Sequence, residues 1–252
     1  MNLFKLMGLI STVALALPPI LIILLRLVRY RSFPALLAYY ILICSNTILL
    51  LGYFDLGNGT AVNLRNLITL SATPAILLFL TYFSRTPSLK RKLLISIACF
   101  VGFELIMLTI FGLSDNTMRI VQGPGILLTL FFSLSFFIHQ VKITVVYHKA
   151  AGKALMVASL LFACVGYGYV YVVNTILNTP FKEDANLILF LVSIFSSLTM
   201  AFGLFFEQKR VRQLEELQTT RQELKSIYGE QDKKKTTSFE TIVFNYDKKQ
   251  WN

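Results

Sequence analysis

With 252 residues, 55% of them apolar, only 15% charged and a mean hydropathy of +0.64, the chain holds more apolar surface than one water-soluble core can bury. A soluble enzyme is excluded, and an all-α polytopic membrane protein is expected. The net charge of +11 would suggest nucleic acid, but most basic residues sit in short loops between apolar runs, where they act as topology signals.

A helix rises about 1.5 Å per residue, so crossing a hydrocarbon layer of about 30 Å takes about 20 apolar residues. Seven segments meet that length: 6–25, 33–54, 66–83, 93–113, 125–147, 154–177 and 186–206. The first is too long for the apolar core of a signal peptide and has only Lys5 before it, so it reads as a span. Pro18-Pro19 there, and Pro74 in the third, interrupt the backbone ladder and bend helices. The fifth loses its clean apolar character after Ile138 and continues through His139, Gln140 and Lys142 toward water or neighbouring helices.

Lysine and arginine in short loops resist translocation, whereas acidic residues matter little. Arg26, Arg29, Arg31, Arg85, Lys90, Arg91, Lys92, Lys142, Lys149 and Lys153 fall on one side, and only Lys5, Arg65, Arg119 and Lys182 on the other. The N-terminus is therefore expected outside and the C-terminus in the cytoplasm, in a plasma or inner membrane. Asn58-Gly59-Thr60 is formally a glycosylation acceptor, but so short a pattern close to the membrane carries no weight.

The bundle is expected over 1–206, a cytoplasmic helix over 207–228, and a basic, mostly flexible tail over 229–252. After Phe206 the composition turns to Gln, Glu, Lys and Arg with no obvious stop, so the seventh helix is expected to run on into the cytoplasm. Leu217 and Leu224 are seven apart, as are Leu214, Arg221 and Tyr228, which makes about two imperfect heptads. Two readings stay open: a solvated amphipathic helix along the inner leaflet, and a short coiled coil through Leu214, Leu217, Leu224 and Tyr228 that joins two copies. In the tail, Phe239 to Tyr246 reads as a short extended segment.

Within the spans Glu104 is the one acidic residue far from either end, about 16 Å from the inner end of its helix by the helical rise. A charged carboxylate there is expensive, so such groups face the bundle interior and mark ion, proton or ligand paths. The ordinary alternative is a neutral glutamic acid donating one interhelical hydrogen bond. The same depth is polar in Cys44-Ser45-Asn46-Thr47, in Ser71, Thr73 and Pro74, and in Ser193, Ser196, Ser197 and Thr199. Tyr167, Tyr171 and Asn174 are spaced i, i+4, i+7 and share one face of the sixth span. These groups serve either as interhelical glue or as a small-molecule pocket open to the outside, with Glu104, Asn46, Thr73, Tyr167, Tyr171, Asn174 and Ser197 as the candidate ligand-binding residues.

Catalysis finds little support, and no enzyme activity is expected. His139 and His148 are nine apart and belong to no cluster with metal-ligand spacing; no G-x-S-x-G, P-loop or HExxH occurs. The seventh span lacks the lysine a retinal Schiff base needs. Cys44, Cys99 and Cys164 lie in apolar segments without CxxC spacing, so neither a disulfide framework nor a zinc site is expected. No cofactor, metal or nucleic-acid partner is expected.

Seven spans with an outside N-terminus, and a last helix continuing into LFFEQKRVRQLEELQTTRQELKS, resemble the seven-transmembrane sensor modules of bacterial membrane signalling proteins. The resemblance is architectural and covers about residues 1–228. This sequence departs from that pattern in that the 24 residues after Tyr228 are too few for a kinase, cyclase or DNA-binding domain, so the output is expected in another chain or in a longer form of this one. It implies a receptor for a small ligand or a membrane state, signalling to a separate cytoplasmic or membrane partner. Two other classes stand beside it: a small solute carrier using Glu104 for proton coupling, although the first and last three spans share no proline or glycine landmarks, and a non-catalytic assembly subunit of a membrane complex.

Overall fold

The computed structural model describes residues 3–29, 32–52, 58–84, 86–147, 151–177 and 182–228. Among these the protein is all-helical, in chain order α1 (Leu3–Leu24), α2 (Phe33–Leu50), α3 (Asn58–Leu80), α4 (Pro87–Phe111), α5 (Asp115–Tyr147), α6 (Ala151–Tyr171) and α7 (Lys182–Tyr228). A π-helical turn over Val172–Ile176 follows α6 directly. Among the described residues, seven helical stretches are long and apolar enough to cross a membrane. Helices are the expected solution, because in lipid every backbone N–H and C=O must find its partner within the segment.

Several threonine hydroxyls on these helices are satisfied locally. Thr12, Thr47, Thr69, Thr129 and Thr144 each donate to the carbonyl four residues earlier, at 2.8 to 3.0 Å. Helix ends are set by residues with the required backbone. Thr86 caps α4 by accepting from the Leu89 N–H at 3.3 Å, with Pro87 in the first turn, and Gly112 at φ 64° ends it. Pro18, Pro19, Pro74 and Pro124 all lie inside continuous helices.

Two helices begin well before the apolar residues do. α3 starts at Asn58 rather than at residue 66, and α5 at Asp115 rather than at residue 125. A ruler that counts apolar residues stops where Arg65, Arg119 and Gln122 begin, yet the backbone stays helical through these polar turns.

The chain forms two compact units, Met1–Gln208 and Lys209–Asn252. In the first, α2 packs chiefly against α1 and α3, α5 against α3 and α6, and α4 against α3 and α5. Hydrophobicity does not drive association between helices in lipid, so close packing must. α6 and α7 show this most clearly: a Cβ on Gly152 would lie 2.8 Å from the Glu207 backbone nitrogen and 3.0 Å from the Gly203 carbonyl oxygen. Ser159 and Ser196 then tie these helices reciprocally, each hydroxyl donating to the other's carbonyl, at 2.7 and 3.0 Å.

One half of the bundle is filled by aromatic rings. Phe33 meets Phe79 and Tyr82 at centroid separations of 5.8 and 5.1 Å, Phe79 meets Phe83 at 5.4 Å, and Phe83 meets Phe136 at 6.2 Å. Phe33, Phe79 and Phe83 are almost wholly buried. This packing closes the half where α2 begins and α3 ends.

The second unit is helical as far as Tyr228, as the C-terminal part of α7. Leu217 and Leu224 are exposed there, at 58% and 47%. The side chains of Leu214 and Tyr228, and the whole of 229–252 with its expected extended segment, lie outside the described residues.

Candidate ligand-binding cavity

In the opposite half of the bundle, where α2 and α6 end and α3 and α5 begin, the helices enclose a cavity of about 440 Å³. That is within the range of small-molecule sites, about 300 to 1,000 Å³. Each wall is a helical stripe. α2 contributes Tyr39, Ile43, Asn46 and Leu50, and α5 contributes Met118, Gln122, Gly125 and Thr129, both at spacings of four, three and four. α3 brings Arg65, Asn66, Thr69, Thr73 and Ile76; α6 brings Leu160, Cys164, Tyr167 and Tyr171.

The π turn extends the α6 wall. The Leu177 N–H reaches back to the Val172 carbonyl at 2.9 Å, and the widened turn places both Asn174 and Thr175 on the cavity. Such turns recur at functional sites, because one extra residue per turn redirects the side chains that follow it. Tyr171, just before the turn, crosses to α5. Its hydroxyl donates to the Arg119 carbonyl at 2.8 Å, and a Cβ on Gly123 would stand 2.8 Å from the same oxygen, so glycine leaves the space the phenol occupies.

Three side-chain amides on the cavity wall hold a buried polar atom without a hydrogen-bond partner: Asn46 Oδ1, Asn66 Nδ2 and Asn174 Oδ1. Asn66 is 4% exposed. Buried polar atoms in native proteins are nearly always paired, so three orphans on residues around one cavity set these amides apart.

Of the residues singled out in the sequence, the structure brings Asn46, Thr73, Tyr167, Tyr171 and Asn174 together on this cavity. Glu104 and Ser197 do not line it. Glu104 belongs to the inward stripe of α4 with Leu93, Ile97 and Phe100, and that helix packs behind α3 and α5. Phe100, one turn before Glu104, wedges against both: a Cβ on Gly125 would be 2.9 Å from its ring, with the Thr73 methyl at 3.1 Å. Glu104 is 7% exposed, and its Oε1 has no partner. Ser197 is fully buried, also with an unpartnered hydroxyl, while α7 gives the cavity only Leu189 among the described residues. Of the other hydroxyls at this depth, Ser71 is exposed and bonds the Leu67 carbonyl, and Ser196 is spent on Ser159.

Among the lining residues that sequence reasoning passed over as members of a site are Arg65, Asn66, Arg119 and Gln122. In a hydropathy reading they look like loop residues or, for Asn66, the edge of a span. The signal available was their helical phase, since Arg65, Thr69, Ala72 and Ile76 continue one stripe.

A second polar group sits at the aromatic end. Glu207, which reads as the first residue of the polar tail, is fully buried; it accepts a hydrogen bond from the Tyr82 hydroxyl, and Lys153 Nζ stands 4.6 Å above the Tyr82 ring. No group of three or more His, Cys, Asp or Glu able to hold a metal occurs among the described residues. Comparisons with protein families, with curated proteins and with solved structures find no match to this chain.

Proposed function

We propose that the protein is a receptor-like sensor of a cell membrane: a small ligand occupies the cavity between α2, α3, α5 and α6 from outside, and the occupied state is passed through α7 to a separate partner. The observation that carries this reading is the cavity with its three orphaned amide atoms. The lysine and arginine asymmetry of the loops supports an outside N-terminus and a cytoplasmic C-terminus, which turns the cavity outward. The aromatic packing of the opposite half supports a site reached from one side rather than a path through the bundle. Proton coupling through Glu104, the feature a carrier would use, finds no support from its place behind the cavity wall. Exposed Leu217 and Leu224 leave a strip on α7 for a partner or a second copy.

Purified protein in neutral-lipid nanodiscs, screened by thermal shift against small polar and amphipathic compounds, tests the reading. A compound that binds the cavity stabilises by about 2.7 kcal/mol at a hundredfold excess over its Kd, and Asn66→Leu removes most of that gain. The same compound placed across a proteoliposome membrane shows no flux. Flux carried by the wild type would replace the receptor with a carrier.

A further inference from the structure

Resting on that reading of the cavity, we infer that its ligand is a water-soluble amphipathic anion, an organic acid whose carboxylate sits against Arg65 and Arg119 and whose apolar body fills the depth of the cavity. Both arginines line it, on the neighbouring helices α3 and α5 and in the turns nearest the rim. No Asp or Glu lines it among the described residues. Two arginines at the mouth of a recess without lining carboxylates, Arg65 half-buried and Arg119 exposed, make a positive field there, and guanidinium presents a planar fork of donors that matches a carboxylate. Asn66, directly after Arg65, adds a buried Nδ2 donor without an acceptor, which an anionic oxygen satisfies once the amide turns toward the cavity. Further in, Ile43, Ile76, Ile126 and Leu160 form an apolar wall suited to a hydrocarbon body. The charge at one end and the apolar surface at the other follow the polarity of a short-chain acid. The place of both arginines at the rim argues for entry from water rather than from the acyl region of the bilayer.

The experiment titrates butanoate, hexanoate and octanoate, and the alcohols of equal length, into wild-type protein in nanodiscs of zwitterionic lipid, by calorimetry and thermal shift. Saturable carboxylate binding is expected, tightening about fourfold per added methylene until the cavity is full. The alcohols, which partition into lipid at least as well, are expected to bind tenfold or more weakly. Arg65→Gln with Arg119→Gln should cost the carboxylates tenfold or more while leaving the weak alcohol binding, which reports that the cavity is still folded. Gln122→Glu, which adds a carboxylate beside intact arginines, should cause a similar loss.

Alcohols that bind as well as the acids overturn the anion while leaving the cavity reading in place, as do carboxylates indifferent to both variants. Stabilisation of the wild type by phosphatidylglycerol nanodiscs, lost in the double variant, with octanoate inert, would make the anion a lipid and overturn the water-soluble source. If neither series binds and Asn66→Leu changes no compound's effect, the cavity reading itself fails.

Discussion

Asn66 and Glu104 both hold a buried polar atom without a partner, yet their surroundings give them different parts to play. Asn66 lines a cavity that a ligand can fill; Glu104 does not line it and sits on α4, the helix packed against α3 and α5. A buried polar group left unpaired costs about 1 to 3 kcal/mol, and replacing it by an apolar group of similar shape removes that cost. Glu104→Leu is therefore expected to raise Tm by on the order of 2 °C or more, with cavity binding changed less than threefold. Thermal denaturation and titration of the same preparation check it. Unchanged Tm with lost binding would return Glu104 to the site. Asn46, Thr73, Tyr167, Tyr171 and Asn174 were legible in the sequence because a polar residue in an apolar span is conspicuous. Their neighbours Arg65, Asn66 and Gln122 were not, because polar residues at the edge of a span look the same whether they face water, lipid headgroups or a cavity.

Among the elements, the helices themselves were readable from length and apolar content, and their order stands. Their ends were not, because hydropathy marks where apolar residues stop and not where the backbone stops being helical, as Asn58–Arg65 at the head of α3 makes plain. The π turn at Val172–Ile176 was also illegible, since VVNTI has no residue that demands it. Small residues at helix contacts carry the clearest mutational signature. Gly152→Ala places a methyl against backbone atoms of Glu207 and Gly203 that cannot step aside, so α6 and α7 must separate, at a cost of about 1 to 3 kcal/mol. Gly102→Ala in α4 meets nothing within 4 Å and is expected to be neutral or stabilising by up to about 1 kcal/mol. Thermal unfolding of the two variants in one detergent checks the contrast, and equal Tm values would remove close approach as the basis of α6–α7 packing.

For the whole molecule, seven apolar helices enclose polar space at one end and aromatic packing at the other. Composition alone was enough for the membrane class, whereas the cavity depends on which polar faces converge, and this is a property of helix phase and neighbour choice that periodicity on single helices leaves open. The central claim is that water and a small ligand reach the space between α3 and α5 from outside the cell. It is tested most directly by cysteine accessibility in a chain whose three native cysteines are changed to serine. Thr69 lines the cavity about 16 Å along α3 from its start, and Ser71, two residues on, is exposed on the outer surface of the same helix. With a membrane-impermeant thiosulfonate applied to intact cells, Thr69→Cys is predicted to react, and Ser71→Cys, facing lipid, to stay unmodified. Modification of Ser71→Cys alone, or of Thr69→Cys only in inverted vesicles, would contradict the account.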